Sequence, residues 1–167
     1  MTTPEPGRPS SDVPDHAGVR LPPPALFLGA LVIGIGLEWL APLGWLDDQP
    51  ASLRYWLGGG LVLAGATLMG VAIRQFRKAG TAIPPWEPTT ALVTTGVYSL
   101  SRNPIYVAMV MLYFGLALIF AASWALLLLV PSLVALEIAV IRREEAYLER
   151  RFGEAYRQYR ARVRRWL

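Results

Sequence analysis

Residues 89–106 read TTALVTTGVYSLSRNPIY, and the chain then runs to residue 122 as VAMVMLYFGLALIFAA, without a single charge. A polar, turn-rich run ends in an arginine and passes through Asn103-Pro104 into an apolar segment close to the length of a hydrocarbon core. Asn at the cap and Pro at the first helical position predict a helix that starts here. Its free N–H groups face the turn-rich run, an arrangement suited to a small anionic group.

Working outward, the rest of the chain has the same alternation of apolar spans and basic connectors. Charged residues make up 17% of the 167 residues and apolar ones 54%, against about 25% charged in a soluble domain. The charge is nearly absent from four segments and concentrated between them, as in a polytopic membrane protein. With no cysteine and one histidine (His16), disulfides, thiolate metal sites, a cysteine nucleophile and histidine-based triads or metal centres are excluded, and no metal site is expected. The net charge of +4 belongs to arginines beside the spans, so it is read as the positive-inside bias rather than as a nucleic-acid surface.

Residues 1–24 are rich in Pro, Ser and Gly and lack apolar periodicity; they are expected to form a disordered cytoplasmic tail. Residues 25–78 supply two membrane helices. In the first, Glu38 is expected to be an interface carboxylate beside Trp39. In the second, Gly60, Ala64, Ala66 and Gly70 are expected to line a small-residue face. Residues 79–167 hold a connector, a hairpin of spans three (104–122) and four (124–141), and a C-terminal segment. The hairpin link is very short, and Pro131 is expected to kink the fourth span. Arginines crowd the ends away from the hairpin turn, which places both termini in the cytoplasm. Beyond Ile141, Leu148, Phe152, Ala155, Tyr159, Val163 and Trp166 recur every three or four residues, predicting an amphipathic helix with a break at Gly153. The fold class is therefore an all-α membrane protein: about four transmembrane helices, a tight helical hairpin and an amphipathic cytoplasmic C-terminal helix.

Folding the hairpin brings the start of span three to the same depth as the end of span four. The shared site offers Arg102, Asn103, a helix N-terminus, Tyr98, Tyr106, Glu144 and Glu145. Such a set recognises a carboxylate through N–H groups and Arg, an ammonium or hydroxyl through Glu, and a cation through aromatic faces. A zwitterionic sulfonium such as S-adenosylmethionine needs all three. Simpler roles exist for each residue: Asn103-Pro104 as a plain helix start, Arg102 on lipid headgroups, Tyr106 as an interfacial tyrosine, Tyr98 filling a turn, Glu145 paired with a surface arginine. Glu137, two turns before Glu144 on nearly the same face, is a second candidate for the pocket, with Arg102 as a partner.

Three motifs in order resemble a known family: Leu92-Val93-Thr94-Thr95-Gly96-Val97-Tyr98, then Arg102-Asn103-Pro104-Ile105-Tyr106, then Glu144-Glu145 followed by Leu148, Phe152-Gly153, Tyr156 and Tyr159. They resemble the isoprenylcysteine carboxyl methyltransferase family, which belongs with the phospholipid methyltransferases among small integral-membrane methyltransferases. The resemblance covers about half the chain. It implies an enzyme using S-adenosylmethionine, with a lipid or prenylated small molecule entering from the membrane. By motif position it implies cofactor binding by Thr90, Ala91, Leu92, Val93, Tyr98, Asn103, Pro104, Ile105, Tyr106 and Glu144, with Arg102, Glu144 and Tyr106 carrying the chemistry. The chain departs from the eukaryotic enzymes at Asn103 and Thr90, where they have His, and at Val140, where they have an Arg implicated in substrate binding; Arg142 and Arg143 are the nearby substitutes. Phospholipid or other small-lipid N- or O-methylation is the alternative within the family. A non-catalytic scaffold binding anionic lipid through its C-terminal arginines is the alternative outside it. The oligomeric state is not fixed by any feature of the sequence.

Overall fold

A computed structural model describes residues 17–19, 22–81 and 87–167. Most of the expected tail (1–16, 20–21) and residues 82–86 lie outside the described residues. The described chain is all-helical, with α1 Pro23–Leu40, α2 Ala51–Lys78, α3 Pro104–Ile119, α4 Ser123–Leu136, α5 Arg142–Phe152 and α6 Glu154–Arg162. A 3-10 turn at Gly96–Ser99 interrupts the connector before α3, and a π turn at Glu137–Ile141 joins α4 to α5 without a break. Three helical runs (Pro23–Leu40, Ala51–Lys78 and Ser123–Phe152) are long and apolar enough to cross a membrane, and α3 is a shorter apolar helix. Three to four such helices fit an integral membrane protein.

Helices α3 and α4 form the expected hairpin through a turn at residues 120–122, with Ala121 at φ 50°. Their main packing, however, is sideways: α3 lies along α2 and α4 lies along α1. Lipid tails are as apolar as leucine, so such pairs are held by close approach rather than by exclusion of water. The α2–α3 approach uses Gly58 and Gly65 against Gly115 and Ala108. A Cβ at Gly58 would stand 2.6 Å from the Gly115 carbonyl oxygen, and one at Gly65 3.0 Å from that of Ala108. The expected small-residue face is therefore corrected: Gly60 and Gly70 meet open space, and Ala64 and Ala66 are exposed. Spacing of seven, through Gly58, Gly65 and Ala72, gives the buried face.

Glu38 is a structural pin. Its Oε1 accepts the N–H groups of Leu43 (2.9 Å) and Gly44 (3.2 Å), and its Oε2 accepts that of Trp124 (3.0 Å). It closes the turn after α1 and caps the first turn of α4, where the backbone has N–H groups without helical partners. Replacing Glu38 with alanine leaves three N–H groups without their acceptors at once, and the expected loss is about 2 kcal/mol or more. A lowered thermal midpoint in detergent, with Trp39→Ala near wild type, is the outcome to look for.

Pro131 sits inside α4, which continues to Leu136. The break at Gly153 is present at φ 51°. Beyond it the expected amphipathic stripe is corrected in two ways. Ala155 is exposed while Tyr156 and Tyr159 are buried, and the helix ends at Arg162, with Val163 extended. Trp166 packs against the core from a non-helical tail, because that tail is held elsewhere by hydrogen bonds described below. At the other end of the chain, Val19 is buried in the same apolar cluster, and Arg143 donates to the Gly18 carbonyl at 3.2 Å.

Candidate functional site

At the arginine-rich end of the bundle, α3, α5, α6 and the connector enclose a cavity of about 290 Å³. That is close to the lower limit of small-molecule sites, roughly 300 Å³.

The entry to α3 builds one wall. Pro104 occupies the first helical turn, but Asn103 does not cap it with its side chain. Its Nδ2 instead donates to the Arg165 carbonyl at 2.9 Å. Ser101 Oγ donates to the same carbonyl (3.2 Å) and accepts the Asn103 N–H (3.1 Å), while the Arg102 N–H donates to the Arg164 carbonyl (2.9 Å). The extended tail 163–167 is thus tied to the loop 101–103, which explains why it leaves the helix.

Phenols tie the opposite wall to the connector. Tyr159 donates to the Tyr98 carbonyl (2.7 Å), Tyr156 accepts from Arg102 Nη1 (3.3 Å), and Tyr147 accepts the Thr89 N–H (3.1 Å). The Tyr98 ring lies 5.1 Å from that of Phe76, and Tyr156 meets Tyr159 edge-on at 6.3 Å. Burial pushes the Tyr98 and Tyr159 phenols far above their usual range, so both stay protonated. Five tyrosines (98, 106, 147, 156, 159) line one cavity.

The charges divide unevenly. Arg102, whose side chain is only 9% exposed, contacts Glu145 at 3.0 Å. Glu145 also takes Arg165 in a two-point contact, Nε at 2.9 Å and Nη2 at 2.6 Å. Hydrogen bonding to Glu145 holds the Arg165 guanidinium above its usual pKa, so it is always charged. Arg165 reaches Glu137 as well, at 2.6 Å, and Arg142 approaches Glu137 at 3.5 Å. Glu144 has no cation partner among the described residues. It accepts one hydrogen bond, from Tyr106 Oη at 2.7 Å.

Of the residues expected at the site, Tyr98, Arg102, Asn103, Pro104, Ile105, Tyr106 and Glu144 line the cavity. Thr90, Ala91, Leu92 and Val93 are not among its lining residues. Thr90 donates to the Gly80 carbonyl (3.0 Å), and the N–H groups of Thr90 and Ala91 reach Thr81 Oγ1 (3.0 and 3.4 Å), fastening the connector to the end of α2. Glu145 is paired with buried Arg102 as well as with the partly buried Arg165, rather than with a surface arginine alone. Glu137 is held by Arg165 and Arg142, not Arg102. Val140 is fully buried, and neither Arg142 nor Arg143 lines the cavity. Tyr147, Tyr156 and Tyr159 are additions to the expected set. Tyr147 and Leu148 fall three and four residues after Glu144, on one helical face, and that spacing was the available signal.

Comparisons with known proteins bear on the family. The sequence model of the family described as "Phospholipid methyltransferase" matches residues 53–155. A Haemophilus influenzae protein, described only as "Uncharacterized protein", is 35% identical over 63 residues, 38% of this chain and the whole of that protein. No solved structure matches the chain. The match spans α2 to the start of α6 and includes the polar residues of the cavity other than Tyr156 and Tyr159; the chain belongs to the phospholipid methyltransferase family of small membrane methyltransferases.

Proposed function

We propose that this chain transfers a methyl group from S-adenosylmethionine to a lipidic acceptor, with the cavity opening on the cytoplasmic side and both termini there. The observation that carries the reading is Glu144, a carboxylate without a cation partner among the described residues, in a tyrosine-lined cavity at the start of α3. Burial penalises the ionised form of such a carboxylate, which tends to take up a proton instead, and a bound cation would favour the ionised form. Arg102, Asn103 and the N-terminus of α3 suit an anionic group on the same ligand, and the tyrosine faces suit a sulfonium. The donor set therefore fits the cofactor.

When bound, S-adenosylmethionine supplies an electrophilic methyl group. The residues of this chain hold and orient what lies in the cavity, exclude water from it and offer Glu144 as the site for a proton. Tyr106 fixes Glu144 through Oε1, which leaves the second carboxylate oxygen to act.

The same charge balance favours an amine acceptor over a carboxylate. A carboxylate would face Glu144 with only Arg102 to receive it, and Arg102 is shared with Glu145. An ammonium would be drawn to Glu144 and lose its proton there before attack. This moves the reading away from a prenylcysteine carboxylate and toward amine-bearing headgroups. Purified protein in liposomes of defined composition, given methyl-labelled S-adenosylmethionine, tests it. Label is expected in the lipid extract when an amine headgroup is present and not when carboxylate lipid is the sole candidate. No lipid labelled above a Glu144→Ala control would reject the reading.

A further inference from the structure

In a regular α-helix, residues seven apart lie nearly in line, about 20° out of register, whereas residues eight apart lie about 80° apart. By that rule Glu137 should sit above Glu144. The structure pairs it instead with Glu145, since both carboxylates bind one guanidinium, that of Arg165. The cause is the π turn at Glu137–Ile141, in which the Arg142 N–H reaches back to the Glu137 carbonyl. One extra residue in the turn rotates everything after it by about 100°. Glu145 thereby falls beneath Glu137, and Glu144 swings onto Tyr106 in the cavity.

We propose that Arg165 is the positioning residue that holds this register. Its Nη1 contacts Glu137 at the first residue of the π turn, and its Nε and Nη2 contact Glu145, four residues past the turn's last residue. The clasp spans the π turn from end to end. Only the shifted register lets one planar guanidinium satisfy both carboxylates, and its fork geometry suits that task better than an ammonium would. Relaxing the turn to a regular helix would carry Glu144 out toward the Glu137 face and separate Glu145 from Arg102. Arg165 itself is anchored by its carbonyl, which accepts from Ser101 and Asn103 at the mouth of the cavity. Arg165 lies outside the 53–155 match, whereas Glu137 and Glu145 lie inside it. Charged groups around it are Glu137, Glu145, Arg102 and Arg142, which together balance.

The functional half of this inference rests on the cofactor reading above, and the test separates the two. Full-length protein in detergent is compared as wild type, Arg165→Gln, Arg165→Lys and Glu137→Gln, by amide hydrogen exchange and by S-adenosylmethionine binding. Arg165→Gln should speed exchange across residues 137–145 by about tenfold, with α1 and α2 unchanged, and weaken cofactor binding by about tenfold. Arg165→Lys, which restores the charge but not the fork, should fall between. Glu137→Gln leaves the tail docked through its backbone bonds and should shift both readouts in the same direction, so a misfolded Arg165→Gln does not leave the matter open. Wild-type exchange at 137–145 in Glu137→Gln and in any folded Arg165→Gln overturns the clasp. Faster exchange with unchanged cofactor affinity overturns the positioning role. If wild type binds no cofactor, the functional reading and with it the positioning role fail, while exchange still decides the clasp.

Discussion

Glu144→Gln is expected to lower methyl transfer roughly a hundredfold while leaving the protein at least as stable as wild type. The loss follows from removing a carboxylate placed to meet a cationic ligand, since one positioned group of this kind is worth about two to three orders of magnitude in rate. The stability expectation has the opposite sign for the same reason. Among the described residues Glu144 is a partly buried carboxylate with one hydrogen bond and no cation partner, an arrangement in which its ionised form costs the empty protein free energy. The amide of Gln keeps an oxygen for the Tyr106 hydroxyl and removes the charge. A carboxylate kept for packing would behave differently, losing stability along with activity. Thermal midpoints and initial rates measured on the same preparations separate the two. A variant that is both inactive and several degrees less stable would assign Glu144 to the scaffold.

The second large effect lies about 10 residues from the chemistry, in the packing that sets the height of α3. Gly115→Leu is expected to destabilise the protein by about 3 kcal/mol or more, and to appear as loss of the monodisperse peak on size exclusion in detergent. A Cβ at Gly115 would stand 2.6 Å from the Gly58 carbonyl oxygen and 3.0 Å from the Val62 nitrogen. Both are backbone atoms, so relief requires the two helices to part. Parting them moves both ends of the site, since Asn103 to Tyr106 open α3 and Phe76, near the end of α2, packs against Tyr98 at a tilt. Gly60→Leu is the matched control: the same change on the same pair of helices, at a position with open space, and it should behave as wild type.

The spans were legible because a hydrocarbon core demands long runs without charge, and such runs need no knowledge of partners. The site was legible in part for the same reason. A hairpin must bring its two outer ends together, so Asn103–Tyr106 and Glu144 could be placed side by side from topology. What could not be read depended on long-range choices. Gly60–Ala64 and Ala66–Gly70 have spacing as good as that of Gly58 and Gly65, and only the position of α3 decides between them. Periodicity of 3.6 put Glu137 above Glu144, and one extra residue in a π turn moved it to Glu145. The tail 163–167 continued an amphipathic stripe on paper, yet hydrogen bonds from Ser101, Arg102 and Asn103, some 60 residues earlier in the chain, draw it out of the helix.

Glu144 lines the cavity with no cation partner among the described residues, and cofactor binding tests its role most directly. Equilibrium titration of S-adenosylmethionine into detergent-solubilised wild type, with Glu144→Gln beside it, should give saturable binding in the first and a markedly weaker curve in the second. Well-folded wild type that shows no saturation, or a Glu144→Gln variant that binds as tightly, would contradict it.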